Sequence, residues 1–304
     1  MSGPEPERPR WADLRARLAA VGFTPSKTLG QNFLVDANMA RAIARDAGVG
    51  AGDRVLEVGP GCGSLSLELV RHEVELVAVE IDPRLATIAR AELAPFPSAR
   101  VLETDVLDRK SRLARPVVEL LDSWAGRPWH LAANLPYAVS GPVLVLLARR
   151  PEPPASMTVL VQRELADRVA ARPGSPAHGT LGLKLGPLYE ASIPRTVPAG
   201  LFWPRPRVES AVLRLARREG APPAFRDAEH AARFDRLVDG LFQRRRKTLR
   251  KALGAHLDDV DRAAEALEAA ALDPGGRAET LSWPELLRLE AILAGRAEGE
   301  PGGP

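Results

Sequence analysis

The tetrapeptide Asn134-Leu135-Pro136-Tyr137 has residue types suited to holding an aromatic amine, and it follows an apolar segment, 129–133, that indicates a strand. An exocyclic amine on adenine is a poor nucleophile because its lone pair is delocalised into the ring. The Asn134 amide oxygen and the Leu135 carbonyl could accept both amine hydrogens and favour a pyramidal nitrogen. Pro136 restricts the preceding residue and so presets that carbonyl. Tyr137 could stack on the base, which is worth about 1–3 kcal/mol.

Taken alone, such a tetrapeptide could simply end a strand, so its context upstream matters. Segment 57–63, of sequence EVGPGCG, lies where a predicted strand meets a helix, and its glycines allow close backbone approach to a ligand. Glu80 ends the next predicted strand about twenty residues on, where a carboxylate can bind ribose hydroxyls. Asp105 follows a third strand and could accept a hydrogen bond from an adenine amine. These positions predict a nucleoside-containing cofactor.

Two kinds of cofactor fit this pattern, and the glycine spacing separates them. A dinucleotide-binding dehydrogenase has G-x-G-x-x-G, which places a pyrophosphate on a helix N-terminus. The spacing here is G-x-G-x-G. S-adenosylmethionine has no phosphate and carries a sulfonium cation, which suits the acidic flank of Glu57, Glu80 and Asp105. The segment therefore predicts S-adenosylmethionine, and a dehydrogenase remains the disfavoured alternative.

Strands alternate with helices through the first two thirds of the chain, which predicts an α/β fold with a parallel sheet covered on both faces. Asp36 is expected to cap a helix that runs to Ala47. A long connection, 109–127, is expected to be helical. From Phe234 onward the pattern is helical, after a linker at 220–223. The predicted domains are a tail and short helix at 1–24, a methyltransferase domain at 25–218 and a helical domain at 219–304.

Several ordered segments together resemble the ribosomal RNA adenine dimethyltransferase family. The resemblance runs from about Ser26 to Leu253. Besides the 57–63 loop, Glu80, Asp105 and the tetrapeptide, the matching segments are Gly30-Gln-Asn-Phe-Leu34, Val161-Gln-Arg-Glu164, Phe202-Trp-Pro-Arg-Pro-Arg-Val-Glu-Ser210 and Phe242-Gln-Arg-Arg-Arg-Lys-Thr-Leu249. Leu29 departs from the family pattern, where an aromatic residue is common, and Ala133 stands where glycine is common.

The resemblance implies a Rossmann-like class I methyltransferase domain with a small helical C-terminal domain. It implies N6-dimethylation of two adjacent adenosines in the 3′-terminal hairpin loop of small-subunit (16S) rRNA. The tetrapeptide is then the catalytic segment, and the segment 31–34 would fold over the cofactor. The predicted cofactor contacts are Asn32, Leu34, Gly59, Gly61, Glu80, Asp105 and Asn134.

A basic segment, 243–251, carries six cations in nine residues. With apolar Leu241, Leu249 and Leu253 it is predicted to be one helix, packed on one side and basic on the other. Such a face could position RNA through its phosphates without specifying sequence. An ordinary solvated face is the alternative, and the resemblance favours RNA. The predicted RNA-binding residues are Arg244, Arg245, Lys247, Arg250 and Lys251.

Composition bounds the remaining possibilities. The formal net charge is +3, yet residues 201–251 hold 14 Lys/Arg against 6 Asp/Glu, which is consistent with a polyanionic partner. Cys62 is the single cysteine, so neither an intrachain disulfide nor a cysteine-based metal site is expected. No apolar run suggests a signal peptide or a membrane span. We expect a monomeric cytoplasmic protein, without metal or membrane, that acts on the immature 30S subunit.

Two alternatives to this function stay open at the level of sequence. One is a 23S rRNA adenine methyltransferase that confers macrolide resistance, which shares the fold and a similar tetrapeptide. Leu135 and the match at 242–249 favour the small-subunit enzyme. The other is a ribosome-assembly factor that has lost catalysis, against which intact Glu80, Asp105 and Asn134 argue.

Overall fold

A computed structural model describes residues 11–25, 31–218 and 225–295. The helices are α1 (Trp11–Ala20), α2 (Ala37–Ala47), α3 (Ser64–Val70), α4 (Pro83–Leu93), α5 (Arg115–Asp122), α6 (Ser140–Ala148), α7 (Arg163–Ala170), α8 (Thr180–Leu185), α9 (Ala228–Gln243), α10 (Leu249–Leu257), α11 (Val260–Ala269) and α12 (Trp283–Leu293). The strands are β1 (Phe33–Leu34), β2 (Arg54–Val58), β3 (Glu75–Glu80), β4 (Ala99–Glu103), β5 (Leu107–Arg109), β6 (Arg112–Leu113), β7 (Trp129–Asn134), β8 (Ser156–Gln162), β9 (Tyr189–Val197), β10 (Phe202–Trp203) and β11 (Ser210–Arg217).

The central sheet has seven strands in the order β4-β3-β2-β7-β8-β11-β9. The first five are parallel to one another, and β11 runs antiparallel to β8. The predicted α/β fold and its strands are therefore confirmed, but the sheet is mixed rather than wholly parallel. The carboxyl ends of β2, β3, β4 and β7 meet at one edge, where ligands bind in sheets of this kind.

Local sequence explains why the flanking elements form where they do. The inner strands β2, β3, β7, β8 and β11 are mostly apolar and buried, as expected when helices cover both faces of the sheet. The Asp36 side chain accepts a hydrogen bond from the Met39 amide at the start of α2, and Gly48 ends that helix in the left-handed conformation. The predicted helix from Asp36 to Ala47 is thus confirmed. No helix in the described ranges is long and apolar enough to cross a membrane.

Two parts of the chain before residue 218 differ from expectation. The connection 109–127 contains the predicted helix, α5, but a short hairpin of β5 and β6 precedes it. Strand β9 was not predicted. It carries Pro194 and alternates between more and less buried residues, which is compatible with its place at the edge of the sheet, where a missing backbone donor is tolerated.

The prediction of one basic helix over 243–251 is wrong. Helix α9 ends at Gln243, residues 244–247 form a turn and bend, and α10 begins at Leu249. The break between the two helices allows Leu241 and Leu249 to enter the same buried cluster. It also allows the first amides of α10 to donate to carbonyls between α11 and α12: the Leu249 amide donates to Gly276 and the Arg250 amide to Pro274. A continuous helix would lose these bonds.

Contacts divide the chain into two units, Met1–Ala166 with Ser192–Arg217 and Asp167–Ala191 with Arg218–Pro304. The predicted bounds place residues 167–191 in the methyltransferase domain, whereas these contacts group them with the helical unit. Leu183 of α8 is buried in the helical core, and Lys184 pairs with Asp239 of α9. The bounds at 25 and 219 stay predictions. Leu29, Gly30, the linker at 220–223 and the tail 1–10 lie outside the described residues.

Candidate active site

An open cleft lies at the carboxyl ends of β2, β3, β4 and β7, with an empty volume of about 1130 Å³ that includes its mouth. All predicted catalytic and cofactor residues line it: Asn32, Leu34, Gly59, Gly61, Glu80, Asp105, Asn134, Leu135, Pro136 and Tyr137. Segments separated by about a hundred residues of chain are therefore brought to one site. Their individual roles remain predictions.

The glycine-rich loop between β2 and α3 needs its glycines for backbone conformation and for space. Gly59 and Gly61 have φ angles of 71° and 57°, in the left-handed region that side chains disfavour. A Cβ atom on Gly61 would lie 2.9 Å from two carbons of the Phe33 ring. A Cβ atom on Gly59 would be 3.5 Å from Pro136 Cδ, an ordinary contact. Gly61 is thus the position where a side chain is least compatible with the cleft.

Glu80 fixes the loop from the end of β3. Its Oε2 atom accepts from the Gly61 amide at 3.1 Å, and its Oε1 atom accepts from the Asp82 amide at 3.0 Å. Burial raises the pKa of Glu80, while these backbone hydrogen bonds oppose the shift. Each carboxylate oxygen has a second lone pair, so Glu80 can still accept hydrogen bonds from hydroxyl groups of a ligand.

Glu57 is the second buried carboxyl of the cleft, with only 1% of the residue exposed. Burial is the main cause that raises its pKa to about 8; the Ser66 hydroxyl opposes the shift, and the Glu80 carboxylate adds a smaller increase. Among the described residues, none donates a hydrogen bond to its Oε2 atom. A buried acceptor without a donor, beside a second carboxyl, is suited to a cationic or amine-bearing ligand. Sequence reasoning noted the charge of Glu57 without assigning it a contact.

The adenosine end of a cofactor has matching groups farther along the cleft. Asp105 accepts from the Leu107 amide through Oδ1, which holds the carboxylate in place behind β4. Ile81, directly after Glu80, is 45% exposed although it is large and apolar. An aromatic ring could lie against it. The carboxyls of Glu57, Glu80 and Asp105 and the apolar surface of Ile81 thus fit S-adenosylmethionine. The described residues contain no cluster of His, Cys, Asp and Glu able to hold a metal ion.

The segment 31–34 closes one side of the cleft. Strand β1 pairs antiparallel with β10, joining Phe33 to Trp203 and Leu34 to Phe202. The Phe33 ring is stacked near Trp203, with 6.1 Å between centroids. The Asn134 side chain donates through Nδ2 to the Asn32 carbonyl at 3.0 Å. This segment, which the resemblance implies would fold over the cofactor, therefore lines the cleft and contacts the tetrapeptide.

The backbone of the tetrapeptide is held at both ends. The Leu135 amide donates to Leu160 of β8 at 3.1 Å, and the Pro136 carbonyl accepts from the Val139 amide and the Ser140 hydroxyl. Because Nδ2 of Asn134 is committed to Asn32, its Oδ1 is the atom left to accept. Within the described chain, neither Asn134 Oδ1 nor the Leu135 carbonyl receives a hydrogen bond. Two acceptors are thus available on consecutive residues.

Tyr137 is positioned by a contact that sequence reasoning missed. Its hydroxyl lies 2.7 Å from the hydroxyl of Ser210, the first residue of β11. Burial raises the pKa of Tyr137, and the bond to Ser210 opposes the shift. Ser210 ends the 202–210 segment that resembles the family, but nothing in the sequence places it beside residue 137.

The predicted RNA-binding residues have different surroundings in the second unit. Arg245 donates to Glu279 at 2.6 Å and to the Pro176 carbonyl, so it also fastens the turn. Arg250 lies 3.8 Å from Asp261, while Lys251 is exposed on α10. Arg244 and Lys247 are exposed in the turn. Arg246, omitted from the prediction, is exposed there as well.

Comparisons with known proteins agree with this geometry. The model of the ribosomal RNA adenine dimethylase family matches residues 22–294. A ribosomal RNA small subunit methyltransferase A from Leifsonia xyli subsp. xyli is 42% identical over 92% of this chain and 96% of its own. Another of that name, from Geobacillus thermodenitrificans, is 38% identical over 91% of this chain and 93% of its own.

Solved structures share the fold. A 23S rRNA methyltransferase, ErmE, superposes with a TM-score of 0.63 at 27% identity, covering 86% of this chain and 99% of that one. A dimethyladenosine transferase from Plasmodium falciparum superposes with a TM-score of 0.69 at 19% identity, covering 86% and 98%, and this likeness concerns the fold alone.

Proposed function

Because the chain belongs to the ribosomal RNA adenine dimethylase family, we propose that it methylates N6 of two adjacent adenosines in the 3′-terminal hairpin loop of 16S rRNA. Relatives at 38–42% identity that carry a small-subunit name support the choice of subunit. The immature 30S particle in the cytoplasm is the proposed substrate, and the enzyme is proposed to act as a monomer.

The observation that carries the proposal is the pair of available acceptors, Asn134 Oδ1 and the Leu135 carbonyl, on two residues that line the same cleft as Glu57 and Glu80. Each acceptor can hold one hydrogen of an adenine amine. The amine nitrogen then becomes pyramidal and directs its lone pair toward the cofactor side of the cleft. Tyr137 offers its ring face to the base, which must be unpaired or flipped out to enter.

The proposed cofactor is S-adenosylmethionine, which when bound supplies an electrophilic methyl group on a sulfonium centre. Glu80 would accept hydrogen bonds from ribose hydroxyls, and Asp105 would accept one from the adenine amine. Asn32 and Leu34 would cover the ligand, while Gly59 and Gly61 allow the backbone to approach it. Glu57 would place a carboxyl near the cationic part of the cofactor. Its Oε2 atom, which has no donor among the described residues, could accept a hydrogen bond there.

RNA binding is proposed for the basic turn at 244–247 and the start of α10. Arg244 and Lys247 are exposed there, and cations in a turn can reach phosphates on more than one side. Arg245, Arg250 and Lys251 belong to the same proposed surface, with Arg245 also bound to Glu279.

The test is to incubate the protein with methyl-labelled cofactor and, separately, with undermethylated small subunits and with large subunits. We expect label in 16S rRNA, and mass spectrometry should place dimethyladenosine in the 3′-terminal hairpin. Likeness to the 23S rRNA methyltransferase makes large-subunit RNA the second candidate. Label confined to 23S rRNA would favour that candidate, and cofactor binding without transfer to either subunit would favour an assembly factor.

A further inference from the structure

Ser210 carries a buried hydroxyl at the edge of the proposed active site, and it is the first residue of β11, the strand that runs antiparallel to β8. The residue is fully buried, and its Oγ lies 2.7 Å from the Tyr137 hydroxyl. Tyr137 itself is only partly buried and lines the open cleft. The hydroxyl of a partly accessible tyrosine ring is therefore hydrogen-bonded to a buried residue of the sheet.

The backbone at 134–136 is held by other bonds, but these do not fix the ring of Tyr137. A tyrosine side chain rotates about two bonds, so a fixed backbone leaves several ring orientations open. A hydrogen bond at the hydroxyl selects the orientation that reaches Ser210. Since a stacking contact requires a defined ring plane, this bond determines which face is offered to a base.

Ser210 is in turn held rigidly from two directions. It pairs with Gln162 in the antiparallel register of β11 and β8. Its neighbour Glu209 accepts through its carbonyl from the Arg163 amide at 3.0 Å, and the two side chains form an ion pair at 2.9 Å. The partner of the Tyr137 hydroxyl is thus part of the sheet rather than of a free loop.

We propose that Ser210 is a positioning residue for methyl transfer, which holds the Tyr137 ring in the orientation that stacks on the target adenine. The proposal rests on the proposed function. Through this bond, antiparallel strand β11 contributes to the geometry of a tetrapeptide that follows parallel strand β7.

The experiment measures single-turnover methyl transfer to small-subunit rRNA with Ser210→Ala, Tyr137→Phe and the double variant. Each single variant removes one side of the same bond, so each rate should fall about 3- to 10-fold, the range for one net hydrogen bond. The double variant should be no slower than either single one, because the bond can be lost only once. Ser210→Thr keeps the hydroxyl and should recover most of the rate.

Ser156→Ala is the matched control. Ser156 is also buried and begins β8, and its hydroxyl is hydrogen-bonded to His130 Nδ1 at 2.8 Å, at the opposite end of that strand. Ser156→Ala should lose about as much folding stability as Ser210→Ala but keep the wild-type rate of methyl transfer. Affinity for S-adenosylmethionine should stay within about twofold of wild type in the Ser210 variants, because neither Ser210 nor Tyr137 is among the proposed cofactor contacts.

The outcomes separate this inference from the function on which it rests. If the wild type methylates 16S rRNA but Ser210→Ala transfers at the wild-type rate, the positioning role is wrong and the function stands. Effects that multiply in the double variant would also overturn it, because they show independent roles. If the wild type transfers no methyl group to small-subunit rRNA, the function and the inference fail together.

Discussion

Replacing Gly61 by alanine tests the construction of the cofactor side of the cleft. The new residue must keep a φ of 57°, which costs a residue with a side chain about 1–2 kcal/mol. Its Cβ would also lie 2.9 Å from Cδ1 and Cε1 of Phe33. The ring must therefore move, or the loop must withdraw and weaken the bond from the Gly61 amide to Glu80.

The packing of Phe33 sets the size of the second effect. Its ring meets Phe23 edge-on at 5.6 Å and is stacked near Trp203 at 6.1 Å between centroids. Such aromatic pairs contribute about 0.5–1.5 kcal/mol each. With the backbone strain included, Gly61→Ala should lower the free energy of unfolding by about 2–5 kcal/mol. Displacement of the 31–34 segment should also weaken cofactor binding at least about tenfold, which corresponds to about 1.4 kcal/mol.

Gly126→Ala is the matched control, because Gly126 has a φ of 77° and no described atom lies within 4 Å of an added Cβ. It should cost only the backbone strain of about 1–2 kcal/mol and leave cofactor binding unchanged. Urea unfolding and calorimetric titration with S-adenosylmethionine measure the two quantities. Equal losses of stability and equal cofactor affinities in the two variants would refute the role given to Phe33 and Gly61.

Three further predictions address the acceptor, the buried carboxyl and the basic turn. Asn134→Ala removes one of the two acceptors and should slow single-turnover methyl transfer about 100-fold or more while unfolding remains cooperative; near-normal transfer would contradict the mechanism. Because the pKa of Glu57 is raised to about 8 from 4.5, the folded state keeps a proton that the unfolded state loses. The free energy of unfolding without cofactor should therefore decrease as the pH rises from 4.5 to 8, by up to about 1.4 kcal/mol per pH unit. In urea unfolding, Glu57→Gln should make this free energy depend less on pH. Arg244→Ala with Lys247→Ala should weaken RNA binding and reduce the slope of log affinity against log salt by about 2, whereas Arg236→Ala, an exposed cation of α9, should leave the slope nearly unchanged. An identical slope in the double variant would remove the turn from the interface.

The sequence predicts the local elements well because their signals are local. Short apolar runs specify strands β2, β3, β7 and β8, and Asp36 specifies the start of α2 through its own side chain. The cleft follows from these elements, since the residues after several strands meet at one edge of the sheet.

What the sequence does not predict depends on partners that are distant along the chain. The break between α9 and α10 is set by carbonyls at 274 and 276, because the cations at 244–247 are good helix formers by themselves. Strand β9 is not recognisable from sequence because Pro194 argues against a strand, and only its position at the edge of the sheet makes the proline acceptable. The bond from Tyr137 to Ser210 spans 73 residues and has no local pattern at all.

These distant contacts also explain how one site can serve both halves of the proposed reaction. The Asn134 side-chain amide donates a hydrogen bond to the carbonyl of Asn32, in the segment proposed to cover the cofactor, and its oxygen is the proposed acceptor for the target amine. The bond to Asn32 therefore fixes the orientation of the Asn134 side chain. The amide nitrogen cannot turn toward the cleft without breaking this bond to the 31–34 segment. In the proposed function the two roles depend on each other: a 31–34 segment held over a ligand would stabilise the arrangement of Asn134 that accepts the adenine amine.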